Sequence, residues 1–168
     1  VIETARLRLV PATATHVRAE IHDRDAFARL IAVRVPAGWP PESTVDALPL
    51  FLKWLEAAPD RVGWFAWYAL AREIEAQGPV LVGSAGFLGP PKSGAVEIGY
   101  SVLPPHQKRG FATETVGRLV RWAFDESKEL DRIVAVTEWS NPASVRVLTK
   151  LGFIESGEKR FELSRVTM

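Results

Sequence analysis

Residues 95–137 constrain the fold more than any other stretch of the chain. A run of β-formers, AVEIGYSVL, covers residues 95–103. A loop punctuated by Pro104, Pro105 and Gly110 follows, then the clearest helical pattern of the sequence, over residues 111–126. There Ala112, Val116, Leu119, Val120, Ala123 and Phe124 recur at the i, i+4, i+7, i+8 spacing of one helix face. RIVAVT, residues 132–137, is a second β-run. Strand, helix and strand in this order predict a parallel pair joined by a right-handed crossover.

The remaining elements fall on either side of that unit. Residues 4–10 (TARLRLV) alternate and read as a strand that Pro11 ends. Residues 13–35 read as one or two helices, with Ala26, Phe27, Leu30, Ile31 and Val33 apolar. PAGWPP, residues 36–41, is a breaker-rich loop. Ser43 or Thr44 suits the cap of a following helix with a stripe of Leu48, Phe51, Leu52 and Leu55. Pro49 inside that stripe predicts a later start or a kink. Residues 64–71 (WFAWYALA) read as a buried strand, and residues 73–79 as a hairpin connection. Residues 80–88 (VLVGSAGFL) read as a strand that Gly83 and Gly86 weaken. Residues 142–151 suit a short helix with Val145, Leu148 and Leu151 on one face, and residues 153–166 one or two closing strands. The expected order is β-α-α-β-β-β-α-β-α-β(-β). This is an α/β (α+β) architecture, a mixed, mostly antiparallel twisted sheet of about six or seven strands flanked by about four helices. With no repeat, linker or low-complexity run, residues 1–168 read as one domain.

Composition removes several classes of function. Hydrophobic residues make up 47% of the chain, enough for a sizeable core. Cysteine is absent, so thiolate nucleophiles, acyl-Cys intermediates, disulfides and thiolate metal sites are excluded together. The net charge of +1 gives no broad surface for nucleic acid or an anionic membrane. No apolar run approaches the roughly 18 residues of a membrane span. The start VIETARLRLV lacks the layout of a signal peptide, and the absence of cysteine is compatible with the cytoplasmic location expected here. His16, His22 and His106 have no metal-ligand spacing, and no metal is expected.

The chemistry-bearing stretch is the loop between the strand and the long helix. Ligands of sheets with parallel strands gather outside the strands' carboxyl ends. The first amides of a helix lack intrahelical partners, and the dipole favours an anion there. Gly110 permits close approach, Ala112 blocks little, and Lys108 and Arg109 add positive charge. The spacing alone fits either a phosphate site or a basic helix-start loop that binds nothing. It is neither a P-loop nor a G-x-G-x-x-G turn. Glu114, an acid in the first helical turn, reads as a structural partner of the dipole.

Gln107-Lys108-Arg109-Gly110-Phe111-Ala112 resembles the Q/R-x-x-G-x-G/A signature of the GNAT superfamily of acetyl-CoA-dependent N-acetyltransferases. ETARLRLVP, LVGSAGF, VEIGYSVLPPHQKRGFATE and NPASVRVLTKLGF resemble, in that order, its RimJ/RimL-type branch, which includes ribosomal-protein N-terminal acetyltransferases. The resemblance implies acetyl transfer from acetyl-CoA to a primary amine by direct attack in a ternary complex. It leaves the acceptor open, as a protein N-terminus or a small-molecule amine. A non-catalytic acyl-CoA-binding or scaffold domain on the same fold is the alternative, and a homodimer stays open.

The same resemblance assigns residues. Gln107, Lys108, Arg109, Gly110, Phe111, Ala112 and Thr113 would hold the CoA diphosphate. Tyr100, Ser101, Val102 and Leu103 would run beside the pantetheine arm, where the sheet is expected to splay. A main-chain N–H near Val102 would stabilise the oxyanion. Asn141 and Ser144 fall on positions close to CoA, although Asn141 before Pro142 also reads as a plain N-cap. Leu148 stands where many relatives carry a Tyr that protonates the leaving thiolate. Ser144, a water or no acid at all would then serve. Glu97 is the candidate base, through water. Trp39, in the 36–41 loop, is the candidate acceptor contact, whereas Trp64, Trp67 and Trp139 read as core or rim.

Overall fold

The computed structural model describes residues 1–72, 78–138 and 140–165, and of Ser43 only the backbone. One continuous sheet has the strand order β1-β2-β3-β4-β5-β6-β8-β7. Its members are β1 (Ile2–Glu3), β2 (Leu7–Pro11), β3 (Ala66–Ala71), β4 (Val80–Phe87), β5 (Ala95–Val102), β6 (Arg132–Val136), β7 (Ile154–Gly157) and β8 (Arg160–Ser164). The β5–β6 pair is parallel, and every other described pair is antiparallel. The fold is the expected mixed one, with eight strands rather than six or seven. The additional strand is β1, whose two residues pair with Leu9 and Arg8.

Two helical layers cover the sheet. On one face lie α1 (Ala14–His22), α2 (Arg24–Ile31), the single turn α3 (Glu42–Val45) and α4 (Leu48–Ala57). Val17, Phe27, Ile31 and Leu55 there pack with Tyr68, Leu70 and Leu81 of the sheet. On the other face lie α5 (Phe111–Glu126) and α6 (Pro142–Lys150). Val116, Leu119, Val120 and Leu148 there bury against Leu7, Leu9, Val82 and Ile133. Trp64, Trp67 and Trp122 join this second core, with Trp122 centred 5.0 Å from Trp64 and 5.2 Å from Trp67.

Several local choices have visible causes. Asp23 ends α1 and caps α2, its Oδ1 accepting from Ala26 N at 2.9 Å, which makes two helices of residues 13–35. Leu30 is exposed, so it belongs to the outer face of α2 rather than to its apolar stripe. Pro49 sits in the first turn of α4, where a missing N–H costs nothing, so the helix starts at Leu48 without a kink. Thr44 lies within α3 and its hydroxyl donates back to Pro41 O at 2.8 Å, so it does not cap α4. The glycines of β4 mark close approaches. A Cβ on Gly86 would lie 1.8 Å from Phe65 O, and one on Gly83 would lie 2.4 Å from Ser101 O. Residues 73–77 of the expected hairpin connection lie outside the described residues, as do Trp139 and Val166.

Candidate active site

The site is built on the second half of β5. This strand pairs with β6 only through Ala95, Val96 and Glu97, opposite Arg132, Ile133 and Val134. On its other side β5 stays paired with β4 as far as Val102. Leu88 N donates to Glu97 O, and Leu103 N to Val82 O, so the odd-numbered residues of β5 spend their main-chain groups on β4. Alternation then turns the main chain of Ile98, Tyr100 and Val102 toward β6, and past Ile98 that side of β5 has no strand partner. Gln107 reaches back into this gap, its Nε2 donating to Val102 O at 2.9 Å. The expected splay is present and begins after Glu97.

Leu103 is buried, and a 3-10 turn of Pro104, Pro105 and His106 leads into the loop. Lys108 and Gly110 take left-handed φ values of 59° and 82°. Backbone of this kind forms concavities of N–H groups that accept anions. No side chain caps the start of α5. By contrast Thr13, Asp23 and Asn141 cap α1, α2 and α6. Arg6 fixes the loop from outside. Its Nη1 donates to Arg109 O at 2.7 Å, and its guanidinium lies 4.9 Å from the centre of the Phe111 ring. Glu114 faces Arg6 and Thr4, away from any ligand role, as expected of a structural acid. Ala112 and Thr113 are half-buried in the first turn.

Tyr100 and Ser144 meet across the gap. Their hydroxyls lie 2.6 Å apart, joining β5 to α6. Burial pushes the Tyr100 phenol up, against the opposing effect of the Ser144 hydrogen bond. Asn141 serves as the N-cap, its Oδ1 accepting from Ser144 N at 3.1 Å. Leu148 is fully buried in the core beneath α5, so its position offers no acid to the site.

On the opposite face of the β5 tail is a cavity of about 280 Å³. Gly99 and Ser101 form part of its floor, with Ser84 of β4. Trp39, Leu48, Phe51 and Tyr68 form its apolar walls. Trp39, held by Arg24 Nη1 donating to its carbonyl at 2.9 Å, borders the cavity.

The cavity also contains a residue that the sequence did not single out. Glu20 of α1 accepts from Trp39 Nε1 at 2.8 Å and from the Tyr68 hydroxyl at 2.6 Å. Burial pushes its carboxyl up to about 7, although the hydrogen bonds from Tyr68 and Trp39 oppose the shift. Its faint signal was a carboxylate one helical turn after the core residue Val17. Glu97 points to the cavity's side of the sheet by alternation with Gly99 and Ser101, but it forms no part of the cavity wall. Among the described residues no group of three or more His, Asp or Glu side chains is placed to hold a metal ion. None of the described helices is long and apolar enough to cross a membrane.

A sheet that opens beside a basic helix-start loop, with a cavity behind the opening, defines a two-substrate transferase of the acetyl-CoA-using kind. The family model described as "Acetyltransferase (GNAT) domain" matches residues 6–154. The chain belongs to the GNAT acetyltransferase family, whose members transfer an acetyl group from acetyl-CoA to an amine. The uncharacterized N-acetyltransferase YjdG of Bacillus subtilis is 29% identical over 91% of this chain and 89% of its own length. The uncharacterized N-acetyltransferase YoaA of the same organism is 40% identical over 48% of this chain and 45% of its own. A solved chimera of the Vibrio cholerae spermidine N-acetyltransferase SpeG with hSSAT superposes with a TM-score of 0.63 at 14% identity, covering 97% of this chain and 98% of that one. The ribosomal-protein-S5-alanine acetyltransferase of Vibrio fischeri gives 0.61 at 17% identity, covering 97% and 95%. Those two likenesses show the fold alone.

Proposed function

We propose that acetyl-CoA lies along the unpaired edge of β5 with its diphosphate on residues 107–113, and that the acceptor amine enters through the cavity on the other face. The observation that carries this is the early end of the β5–β6 ladder. It offers the N–H and C=O of Tyr100 and the N–H of Val102 to an amide-bearing arm, as a sheet edge does to a peptide, while Gln107 holds the Val102 carbonyl. The residues present fit such a ligand. The arm's edge leads directly into a loop with left-handed residues, an uncapped helix start, and the side chains of Lys108 and Arg109. Hydrogen bonds to a charged group contribute about 1.5–3 kcal/mol each. Three to five of them supply most of the roughly 8 kcal/mol of micromolar binding, and contacts to the rest of the molecule offset the association costs.

Acetyl-CoA supplies an activated acetyl group. The protein's own contribution is placement, a main-chain donor near Val102 for the developing oxyanion, and a proton for the leaving sulfur. The Tyr100–Ser144 hydroxyl pair is the proton source we assign in place of the acid missing at Leu148. Asn141 and Ser144 stay on the CoA side. Glu97, two residues upstream of Gly99, reaches the cavity only through water. The RimJ/RimL-type likeness and the cysteine-free composition support a cytoplasmic enzyme of that branch. CoA release measured with a panel of primary amines tests the reading. Turnover with at least one amine is expected, and micromolar acetyl-CoA affinity without turnover of any acceptor would contradict it.

A further inference from the structure

Resting on the reading of the cavity as the acceptor site, we infer that this enzyme acetylates a small monoamine carried on an apolar or aromatic body, with Glu20 as the residue that receives the ammonium group.

Charge is the first constraint on the acceptor. Among the described residues that line the cavity, Glu20 is the only charged one. A second ammonium group drawn into the cavity would find no counter-charge in its wall, and a charge taken out of water without a partner is disfavoured. Polyamines and aminosugars with several ammonium groups are therefore poor fits. A single ammonium is well served. The Glu20 carboxylate is held rigid by Trp39 and Tyr68, and aromatic faces attract a cation from the side. The Trp39 and Tyr68 rings meet edge-on with centroids 6.2 Å apart, so the wall beside the carboxylate is preformed.

Size and polarity narrow the class further. At about 280 Å³ the chamber lies at the small end of ligand pockets, which run from roughly 300 to 1,000 Å³. Its side walls at Leu48 and Phe51 offer nothing to the backbone amides of a peptide, which would lose their water without replacement. An alkyl or arylalkyl group needs no such partners.

The chemistry also asks for Glu20. An alkylamine with a lysine-like pKa of about 10.4 is neutral in only a few molecules per ten thousand at pH 7. On binding, the ammonium gives one proton to the Glu20 carboxylate. The neutral nitrogen then bonds to the acetyl carbon as the carbon–sulfur bond breaks. The second nitrogen proton goes to solvent, and the thiolate takes its proton through Tyr100 and Ser144. Glu20 returns its proton to solvent when the amide leaves.

The test compares 2-phenylethylamine and 3-methylbutylamine with spermidine, kanamycin and short Ala- or Ser-initiated peptides. CoA release is followed, and amine binding to the CoA-saturated protein is measured by calorimetry. The monoamines should exceed the other acceptors at least tenfold in kcat/KM. Glu20→Gln should lower kcat/KM for 2-phenylethylamine at least a hundredfold, with acetyl-CoA affinity changed less than twofold. Thr44→Asp, which adds a carboxylate to the cavity wall, should narrow the gap between spermidine and the monoamines. Binding of 2-phenylethylamine that Glu20→Gln abolishes would support the acceptor class even if no amine were turned over, in which case the transfer reading alone fails. A preference for spermidine, kanamycin or the peptides, or no binding of either monoamine, would overturn the inference.

Discussion

Arg6 and Glu114 tie the start of the chain to the first turn of the longest helix. The Glu114 carboxylate accepts from Arg6 N at 2.8 Å, from Arg6 Nε at 2.8 Å and from the Thr4 hydroxyl at 2.6 Å. Arg6 Nη2 lies 2.7 Å from the same carboxylate, and Nη1 donates to the Arg109 carbonyl inside the loop. The pair thus braces the anion loop from behind. Arg6→Ala is expected to raise the KM for acetyl-CoA several-fold with kcat largely kept. It should also lower stability by about 1 kcal/mol, since Arg6 is half-exposed. Steady-state kinetics and urea unfolding check both.

The same pair gives a pH dependence. Burial pushes the Glu114 carboxyl up, but the hydrogen bonds from Thr4 and Arg6 and the Arg6 charge outweigh it, and the group stays below its ordinary value of 4.5. A depressed acid contributes stability that is fully present above its unfolded value and is lost as pH falls through its folded one. Glu114→Gln should therefore destabilise the protein at pH 7, and the difference from wild type should shrink as unfolding is followed below pH 4.5.

Glu20 has the opposite sign. Its carboxyl is raised from 4.5 to about 7, so ionising it works against the folded state. Stability is expected to fall as pH rises from 4.5 to 7, by at most about 3 kcal/mol. Burial pushes the Tyr68 phenol well up, so it stays protonated across this window, whereas the His16 imidazole is pushed down by burial and contributes a slope of opposite sign, which the comparison with Glu20→Gln removes. Glu20→Gln should be more stable than wild type at pH 8 and nearly equal at pH 4.5, by chemical denaturation. Activity should change the other way, because the ionised form is the one that takes the amine's proton.

The Tyr100–Ser144 pair predicts a loss in kcat. Tyr100→Phe removes the phenol and keeps the ring. It should lower kcat about tenfold to a hundredfold with the KM for acetyl-CoA nearly unchanged. Ser144→Ala should produce a smaller loss, and the double variant should lose less than the sum of the two, because the hydroxyls act as one unit. Additive losses would show that they act separately.

Glu97 and Glu20 can be separated by one comparison. Glu97 pairs across the ladder with Val134 and lies outside the cavity wall. Glu97→Gln is expected to change kcat/KM less than threefold, where Glu20→Gln changes it at least a hundredfold. A large loss in Glu97→Gln would assign the proton transfer to a water chain from Glu97.

The sequence made legible what local pattern controls. Helix α5 begins and ends where its apolar spacing and its Gly110 start said it would, and α6 follows from Asn141, Pro142 and Gly152. The position of the loop at a helix start was legible because the unpaired first amides of a helix do not depend on distant residues. What was missed depends on tertiary contacts. The strand expected over residues 4–10 breaks at Thr4 to Arg6, because those residues turn to meet Glu114, more than a hundred positions away. Strand β1 has two residues, too few to leave a pattern. Glu20 looked like an ordinary helix carboxylate until the fold brought Trp39 and Tyr68 to it. Gly83 and Gly86 read as weak points in a strand, and they are instead the places where Ser101 and Phe65 come too close for a side chain.

The most direct test of the central claim is a crystal structure of the protein with CoA bound, together with calorimetry on Gly110→Glu. Gly110 has a φ of 82°, and a Cβ there would lie 3.1 Å from Arg6 Nη2, so the change adds both strain and negative charge. The diphosphate is expected within hydrogen-bonding distance of the main-chain amides of residues 110–113, the pantetheine amides on Tyr100 and Val102, and the variant should lose at least tenfold in affinity. A diphosphate bound elsewhere, with that loop facing solvent and the variant binding as wild type does, would contradict it.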